Sequence, residues 1–328
     1  MEESKFHITF TIDQEKEIKD FFLTNGYVAI RDVLTEAQCN DTVEDINKQM
    51  KETNPLFDIN NVSTYEHAPI INNFGMHAKR PIFTKQFLEN RQNEKIYKAF
   101  SLLYGDGDIL MNHDRCAFYR PTRGLLIDNK VVDKPEWKTS YIWPNLHLDM
   151  HPSSYFRYGD LIKKREMFTY STTDDFVAEN NLYCEPDGLQ IQGVINLLDN
   201  YEEDGGFQCV PGFPSHYKQW CQDKQNFENT YEEGVYHFSK NDKVDNKYIK
   251  NPIRIPVPKG TIILWTQLMS HGSKPNDSNR GRMIQFIKAY PKKIFSKERL
   301  KKRSICLKKK FNQIKFTPSK IGRIVFGM

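Results

Sequence analysis

Hydrophobic positions change period along the chain, from helix-like at the front to strand-like in the middle. Residues 13–24 and 35–53 read as helices, the second opened by Thr35 with Gln38 three positions on, a capping-box pair. The stretch 54–85 is loop-rich. A third helix is predicted over 86–104, closed by the turn Gly105-Asp106-Gly107. From there the period shortens. Alternation over 110–119 predicts a strand ended by Arg120-Pro121-Thr122-Arg123-Gly124, and 188–198, 207–210, 253–257, 260–264 and 283–290 predict the others. Pro258-Lys259-Gly260 is a tight turn directly before the strand that leads to His271. Two long segments, about 152–186 and 220–251, interrupt this β pattern. Loops of such length inside a domain are usually functional or carry elements of their own, and 220–227 looks like a short helix.

The pattern is that of a mainly β protein with a helical front. At 328 residues, 38% apolar and 13% aromatic, the chain can bury one large core, and one domain with elaborations is expected. The six cysteines (Cys39, Cys116, Cys184, Cys209, Cys221, Cys306) are scattered without a CxxC pair, which fits neither a zinc motif nor a disulfide framework. No apolar run reaches the ~18 residues of a spanning helix, and Met1-Glu2-Glu3-Ser4-Lys5 is acidic where a leader would be basic. A reducing, cytoplasmic setting is expected.

Charge alters the picture at one end. Over 292–323 there are thirteen Lys or Arg against Glu298 alone, whereas the rest of the chain holds 34 basic and 41 acidic residues. Residues 296–310 read as a basic amphipathic helix with Leu300, Ser304 and Leu307 as its thin apolar stripe. Such a helix can contact nucleic acid or an anionic membrane, or act as a nuclear-import signal. Alternatively it docks on the acidic body, which is the favoured reading.

The chemistry concentrates in three places. In Asn145-Leu146-His147-Leu148-Asp149, a histidine and a carboxylate two positions apart on a strand share a face. A second histidine opens His271-Gly272-Ser273-Lys274-Pro275-Asn276, just after the apolar run Thr261-Ile262-Ile263-Leu264-Trp265. Arg282 follows, heading Met283-Ile284-Gln285-Phe286-Ile287. Each fragment alone also suits a surface strand or an ordinary turn; their order, placement and offset give the ensemble its weight. Two imidazoles and one carboxylate on one face of a metal suit Fe(II) and an O2-derived oxidant. A permanently charged, planar guanidinium suits the distal carboxylate of 2-oxoglutarate. Arg280 would share the face of Arg282 if the strand started early. His151, just past Asp149 and before Pro152, reads as a group that supports the ligands from behind or lines the substrate space, not as a fourth ligand. In His113-Asp114-Arg115 the His and Asp are adjacent, so they point to opposite faces and make a poor rival site. His7, His67, His77, His216 and His237 read as ordinary surface or core residues.

These residues resemble the phytanoyl-CoA dioxygenase-like (PhyH-like) branch of the Fe(II)/2-oxoglutarate oxygenases. Phe21-Phe22-Leu23-Thr24-Asn25-Gly26-Tyr27-Val28-Ala29-Ile30, with Val33-Leu34-Thr35-Glu36-Ala37-Gln38-Cys39, is similar to that family's opening helix, strand and second helix. Asp204-Gly205-Gly206-Phe207-Gln208-Cys209-Val210-Pro211-Gly212 resembles its glycine turn and "VPGSH" strand, with Phe213-Pro214 inserted before Ser215-His216. The segment from His271 to Arg282 matches its distal part. The resemblance covers roughly residues 15 to 290.

The resemblance implies a double-stranded β-helix (jelly-roll, cupin-like) core at about 108–290 behind a helical layer at about 12–104. Together these form an oxygenase domain over 1–290, followed by the basic extension 291–328. It implies that His147, Asp149 and His271 ligate iron, and that Arg282 and Ser273 bind 2-oxoglutarate. The family often has an aromatic residue near the co-substrate on the strand before Leu197-Leu198-Asp199. Here Gln190, Gln192 and Asn196 occupy that strand, and Gln192 is taken as a further co-substrate contact. The implied reaction is oxidative decarboxylation to succinate and CO2 coupled to hydroxylation of a small molecule. Halide-installing relatives lack the carboxylate, so Asp149 points to an oxygenase outcome. Apart from the resemblance, the first insertion, rich in Tyr155, Arg157, Tyr158, Lys163, Lys164 and Arg165, reads equally as a lid over an anionic substrate or as a solvated insertion. Two alternatives stand beside this reading: the same chemistry on a nucleic acid or protein guided by the basic tail, and a non-catalytic jelly-roll binding module.

Overall fold

A computed structural model describes residues 5–139, 145–152, 167–180, 189–225, 227 and 235–328. In chain order, helices α1 (Glu15–Asn25) and α2 (Glu36–Thr53) flank strand β1 (Tyr27–Ile30), and α3 (Lys85–Arg91) and α4 (Glu94–Tyr104) precede β2 (Ile109–Met111) and β3 (Cys116–Tyr119). The hairpin β4 (Leu125–Ile127) and β5 (Lys130–Val132) leads to β6 (His147–Leu148), α5 (Asp175–Glu179), β7 (Ile191–Asn196) and β8 (Gly206–Cys209). Next come α6 (Phe213–Lys224), β9 (Tyr236–His237), α7 (Lys243–Tyr248) and β10 (Ile253–Arg254). The chain closes with β11 (Ile262–Thr266), β12 (His271–Lys274), β13 (Arg282–Pro291), α8 (Lys297–Gln313) and α9 (Lys320–Phe326).

The strands form two antiparallel sheets. The larger runs β1-β11-β7-β13-β2, with β3 also on β13, and the smaller runs β10-β8-β12-β6-β9. Strand alternation divides the larger sheet between two cores. Val28, Ile30, Ile195, Ile262, Leu264, Met283 and Ile287 join Ile18, Ile46, Met50, Phe87 and Phe100 of the helices in one apolar cluster. Tyr27, Ala29, Val194, Ile263, Trp265 and Ile284 join Phe207 and Cys209 of the smaller sheet in another. Helices therefore cover one face of the larger sheet and the smaller sheet covers the other.

Local chemistry explains where the elements depart from expectation. The capping box of α2 forms, Thr35 with Gln38. The helix expected over 86–104 is two helices, because Asn93 leaves helical geometry to accept the Lys95 and Ile96 amides as the cap of α4. The strand expected over 110–119 breaks between β2 and β3. There the Asp114 carbonyl accepts the Ile82 amide and its carboxylate accepts the Arg115 amide, so the ladder is interrupted. The helix expected from 220 begins at Phe213, with Pro214 in its first turn, where a missing N–H costs nothing. The five described cysteines are free and buried. No helix among the described residues is long and apolar enough to cross a membrane.

The basic segment is helical and docked. Its buried stripe is Arg299, Arg303, Cys306, Leu307 and Phe311, shifted from the expected Leu300, Ser304 and Leu307. Leu307, Phe311, Val325 and Phe326 enter the helix-side core. Arg299 donates to Glu179 Oε2 at 2.9 Å and to the Tyr170 hydroxyl at 3.0 Å. Arg303 donates to the carbonyls of Met111 (2.7 Å) and Phe326 (2.9 Å). The tail is thus held by buried arginines tied to one carboxylate and to backbone oxygens, as well as by apolar contact.

Candidate metal centre

One pairing in the smaller sheet brings the distant histidines together. β12 pairs with β6 at His271–His147, and the ring centroids lie 4.4 Å apart. Gly272 makes the approach possible: a Cβ there would lie 1.7 Å from the Asn145 carbonyl oxygen. The Asn145 side chain donates back to the Ser273 carbonyl at 2.8 Å, locking the two segments. Asp149 sits just beyond β6. Its Oδ1 is 3.4 Å from His147 Nε2 and its Oδ2 is 3.9 Å from His271 Nε2. One ligand atom from each of the three residues lies within 4.8 Å of the others, a cluster that could hold a metal ion.

The surroundings fix the protonation this requires. His271 Nδ1 lies 2.9 Å from the Met269 carbonyl, to which it donates, leaving the Nε2 lone pair facing Asp149. Burial, and then repulsion from His147, push the His271 imidazole down to about 3, so it is neutral at physiological pH. Burial works against ionisation of Asp149, but the Lys288 ammonium and the two imidazoles outweigh it and hold the carboxyl well below the usual range. Lys288 Nζ lies 3.2 Å and Gln192 Nε2 2.5 Å from Asp149 Oδ2, and Trp265 Nε1 donates to Gln192 Oε1 at 3.1 Å. Asp149 is thus ionised and held by two neighbours.

The cluster opens onto a cavity of about 270 Å³ between the sheets. Alternate residues of β13 (Arg282, Ile284, Phe286 and Lys288) line it. Arg282 is 2% exposed, and among the described residues its Nε and Nη1 have no hydrogen-bond partner. Its guanidinium lies over the Tyr119 ring at 4.5 Å, and burial lowers its pKa from the ordinary value. Arg254, also buried, is pushed down to about 9 by burial and then by Arg282 itself. Two buried guanidiniums that repel each other, each with a donor that no described residue accepts, make a site that an anion would stabilise. Gly206 leaves the room: at φ +112°, a Cβ there would lie 2.6 Å from Arg282 Nε.

The other candidates separate clearly. Ser273 lines the cavity on β12. Gln192 spends its side-chain amide on Asp149 and Trp265, behind the carboxylate. Arg280 lies before β13 begins, bound to Glu203 at 2.6 Å and Asp204 at 2.8 Å, so the register puts Arg282 inside. The His151 ring stands 6.3 Å from that of Phe227. The lid residues Tyr155 to Arg165 lie outside the described residues. His237, read as ordinary, in fact pairs with His147 and lines the cavity; nothing in its local sequence marked it. Lys288 was missed too, although a lone cation of the same parity as Arg282 in an apolar strand was a usable signal.

In sequence and in fold the chain resembles known proteins. The family model described as Phytanoyl-CoA dioxygenase (PhyH) matches residues 167–284. A Dictyostelium discoideum protein named "Putative phytanoyl-CoA dioxygenase" is 40% identical over 278 residues, covering 83% of this chain and 74% of that protein. Among solved structures, the hypothetical protein JW0805 from Escherichia coli superposes with a TM-score of 0.60 at 15% identity, over 97% of this chain and 82% of that one. GlcNAc Inducible Gene 2 (GIG2, DUF1479) from Candida albicans gives 0.55 at 15% identity over 84% of this chain, which spans 63% of the Candida protein's length. At such identity the two structures speak for the fold; the Dictyostelium relative, on sequence, carries the family, and the chain belongs to the phytanoyl-CoA dioxygenase (PhyH) family.

Proposed function

We propose that this chain is an Fe(II)- and 2-oxoglutarate-dependent dioxygenase that hydroxylates a small molecule and releases succinate and CO2. One observation carries the reading: a neutral imidazole, an ionised carboxylate and a second imidazole converge on a cavity that also contains a buried guanidinium with unspent donors. The donor set fits the metal, since two nitrogens and one carboxylate on one face leave positions open. The cradle at Gly206 and the unsatisfied Arg282 fit a carboxylate. The two sheets are read as the halves of a double-stranded β-helix.

In this reading His147, Asp149 and His271 hold Fe(II), and Arg282, with Ser273, holds the distal carboxylate of 2-oxoglutarate. Bound there, iron and co-substrate supply an oxidant able to attack an unactivated C–H bond. The protein's own part is placement. Met269 fixes the His271 tautomer, while Gln192 and Lys288 orient Asp149. Phe207, Trp265, Ile284 and Phe286 exclude water from the space beside the cluster. Arg299 and Arg303 face inward, so these two basic residues of the tail serve its docking on the body.

The test is succinate formation from 2-oxoglutarate by the Fe(II)-loaded protein under air, with uncoupled turnover as the baseline. The reading expects succinate that depends on both iron and Arg282. Absence of succinate above a metal-free control, across a broad panel of small molecules, would favour a binding module instead.

A further inference from the structure

Arg115, in the His113-Asp114-Arg115 segment set aside above, enters the same cavity. The geometry points to a substrate subsite there: we propose that Arg115 receives the carboxylate of a monoanionic substrate. The inference rests on the oxygenase reading for its chemistry, but not for the binding it describes.

The register places this group. Tyr119 stands opposite Arg282 and Ala117 opposite Ile284. One pair further on, the Phe286 amide donates to the Arg115 carbonyl at 3.2 Å, so Arg115 continues the inward row. Four strand residues, about 13 Å at ~3.3 Å each, separate it from the Tyr119–Arg282 rung. The cavity therefore has a guanidinium at two separated points, and the 2-oxoglutarate carboxylate uses only the one at Arg282.

Arg115 is also pre-organised. Its Nε donates to Asp114 Oδ1 at 2.9 Å, and Asp114 Oδ2 is held by Asn180 Nδ2 at 2.8 Å. One edge of the guanidinium is pinned, yet its two terminal nitrogens make no hydrogen bond with any described residue. The side chain is 21% exposed and lines the cavity. A planar fork held at Nε and open at both Nη atoms matches the two oxygens of a carboxylate.

Charge sets the ligand class. The Asp114 carboxylate is shared between Arg115 and the buried Arg91, so it offsets the charge of Arg115 only in part, and Lys288 is engaged with Asp149. A single negative charge shared across the fork is accommodated. A dianionic phosphate would meet Asp114 on the other side of the same guanidinium, with no second free cation among the described cavity-lining residues beyond the one at Arg282. Phe74, Met76 and Phe286 are among the apolar residues that line the same cavity, Phe286 directly across the ladder from Arg115, and they suit a short hydrocarbon body. The substrate class is a compact aliphatic or aromatic monocarboxylate.

The experiment uses full-length protein loaded anaerobically with Fe(II) and 2-oxoglutarate, titrated calorimetrically with hexanoate, hexanamide and hexyl phosphate. Hexanoate should bind at least ~10-fold more tightly than hexanamide, the ratio expected of a charge-assisted contact, and hexyl phosphate no more tightly than hexanoate. Arg115→Gln should erase the hexanoate preference while leaving 2-oxoglutarate affinity within about 2-fold, and Arg115→Lys should restore part of it. Equal binding of hexanoate and hexanamide by the wild-type protein overturns the proposal whatever the variants do, as does tighter binding of the phosphate. Loss of 2-oxoglutarate affinity in Arg115→Gln would make Arg115 the co-substrate clamp and overturn it too. Should the wild type bind no 2-oxoglutarate, the oxygenase reading fails, and the same titration on that protein still decides whether Arg115 prefers a carboxylate.

Discussion

Glu179→Gln should destabilise the protein far more than an isosteric change at a surface acid would. Glu179 is fully buried, its Oε2 lies 2.9 Å from Arg299 Nη2, its Oε1 lies 3.6 Å from Arg303 Nε, and it also accepts the Tyr170 hydroxyl. The amide keeps the volume but leaves two buried guanidiniums without their carboxylate. Removing one partner of a buried pair costs about 3–5 kcal/mol. At ~2.1 cal/mol/K per residue, unfolding 328 residues carries an entropy of about 0.7 kcal/mol/K. The melting temperature should therefore fall by about 4–7 °C. Glu298→Gln, on the exposed face of the same helix beside Lys302, should leave it unchanged. Circular-dichroism melts of the two variants provide the comparison. If Glu179→Gln melted within about 1 °C of Glu298→Gln, the cluster would not be what fastens α8 to the body.

Arg282→Ala should weaken 2-oxoglutarate binding at least ~10-fold in calorimetry, whereas Arg280→Ala, which cuts only the links to Glu203 and Asp204, should leave that affinity nearly unchanged; equal losses would mean the register is wrong. Gly206→Ala should reproduce much of the Arg282 defect in a folded protein, because its Cβ would lie 2.6 Å from Arg282 Nε, and unaltered co-substrate binding would show that the guanidinium works from elsewhere. Gln192→Leu removes a donor from Asp149 and the acceptor of the Trp265 indole, so metal affinity should drop about 10–100-fold, as read by competition with a chelating dye.

The candidate cluster was legible because the sequence fragments map onto local geometry. His147 and Asp149 share a face by parity, and Arg282 heads a strand whose apolar partners are themselves periodic. Arg280 against Arg282 was undecidable from parity alone; the tie was broken by Asp204 and Glu203, which are remote in sequence. The tail stripe was misplaced because arginines were counted as solvent-facing, whereas Arg299 and Arg303 are paid for by Glu179 and by backbone carbonyls. The His113-Asp114-Arg115 segment was weighed only as a rival metal pair, so Arg115 was passed over, although it has the parity of Ala117 and Tyr119, which stand opposite Ile284 and Arg282. His237 reaches the site through a two-residue strand pairing, too short to leave a pattern.

The most direct measurement is the Fe(II) content of the protein after anaerobic loading and dialysis, wild type against Asp149→Ala. Asp149 contributes the one carboxylate of the cluster and is ionised in the folded state. The account predicts one iron per wild-type chain and its loss in Asp149→Ala, with the variant's far-UV spectrum unchanged. A folded Asp149→Ala protein that kept a full equivalent of iron would contradict it.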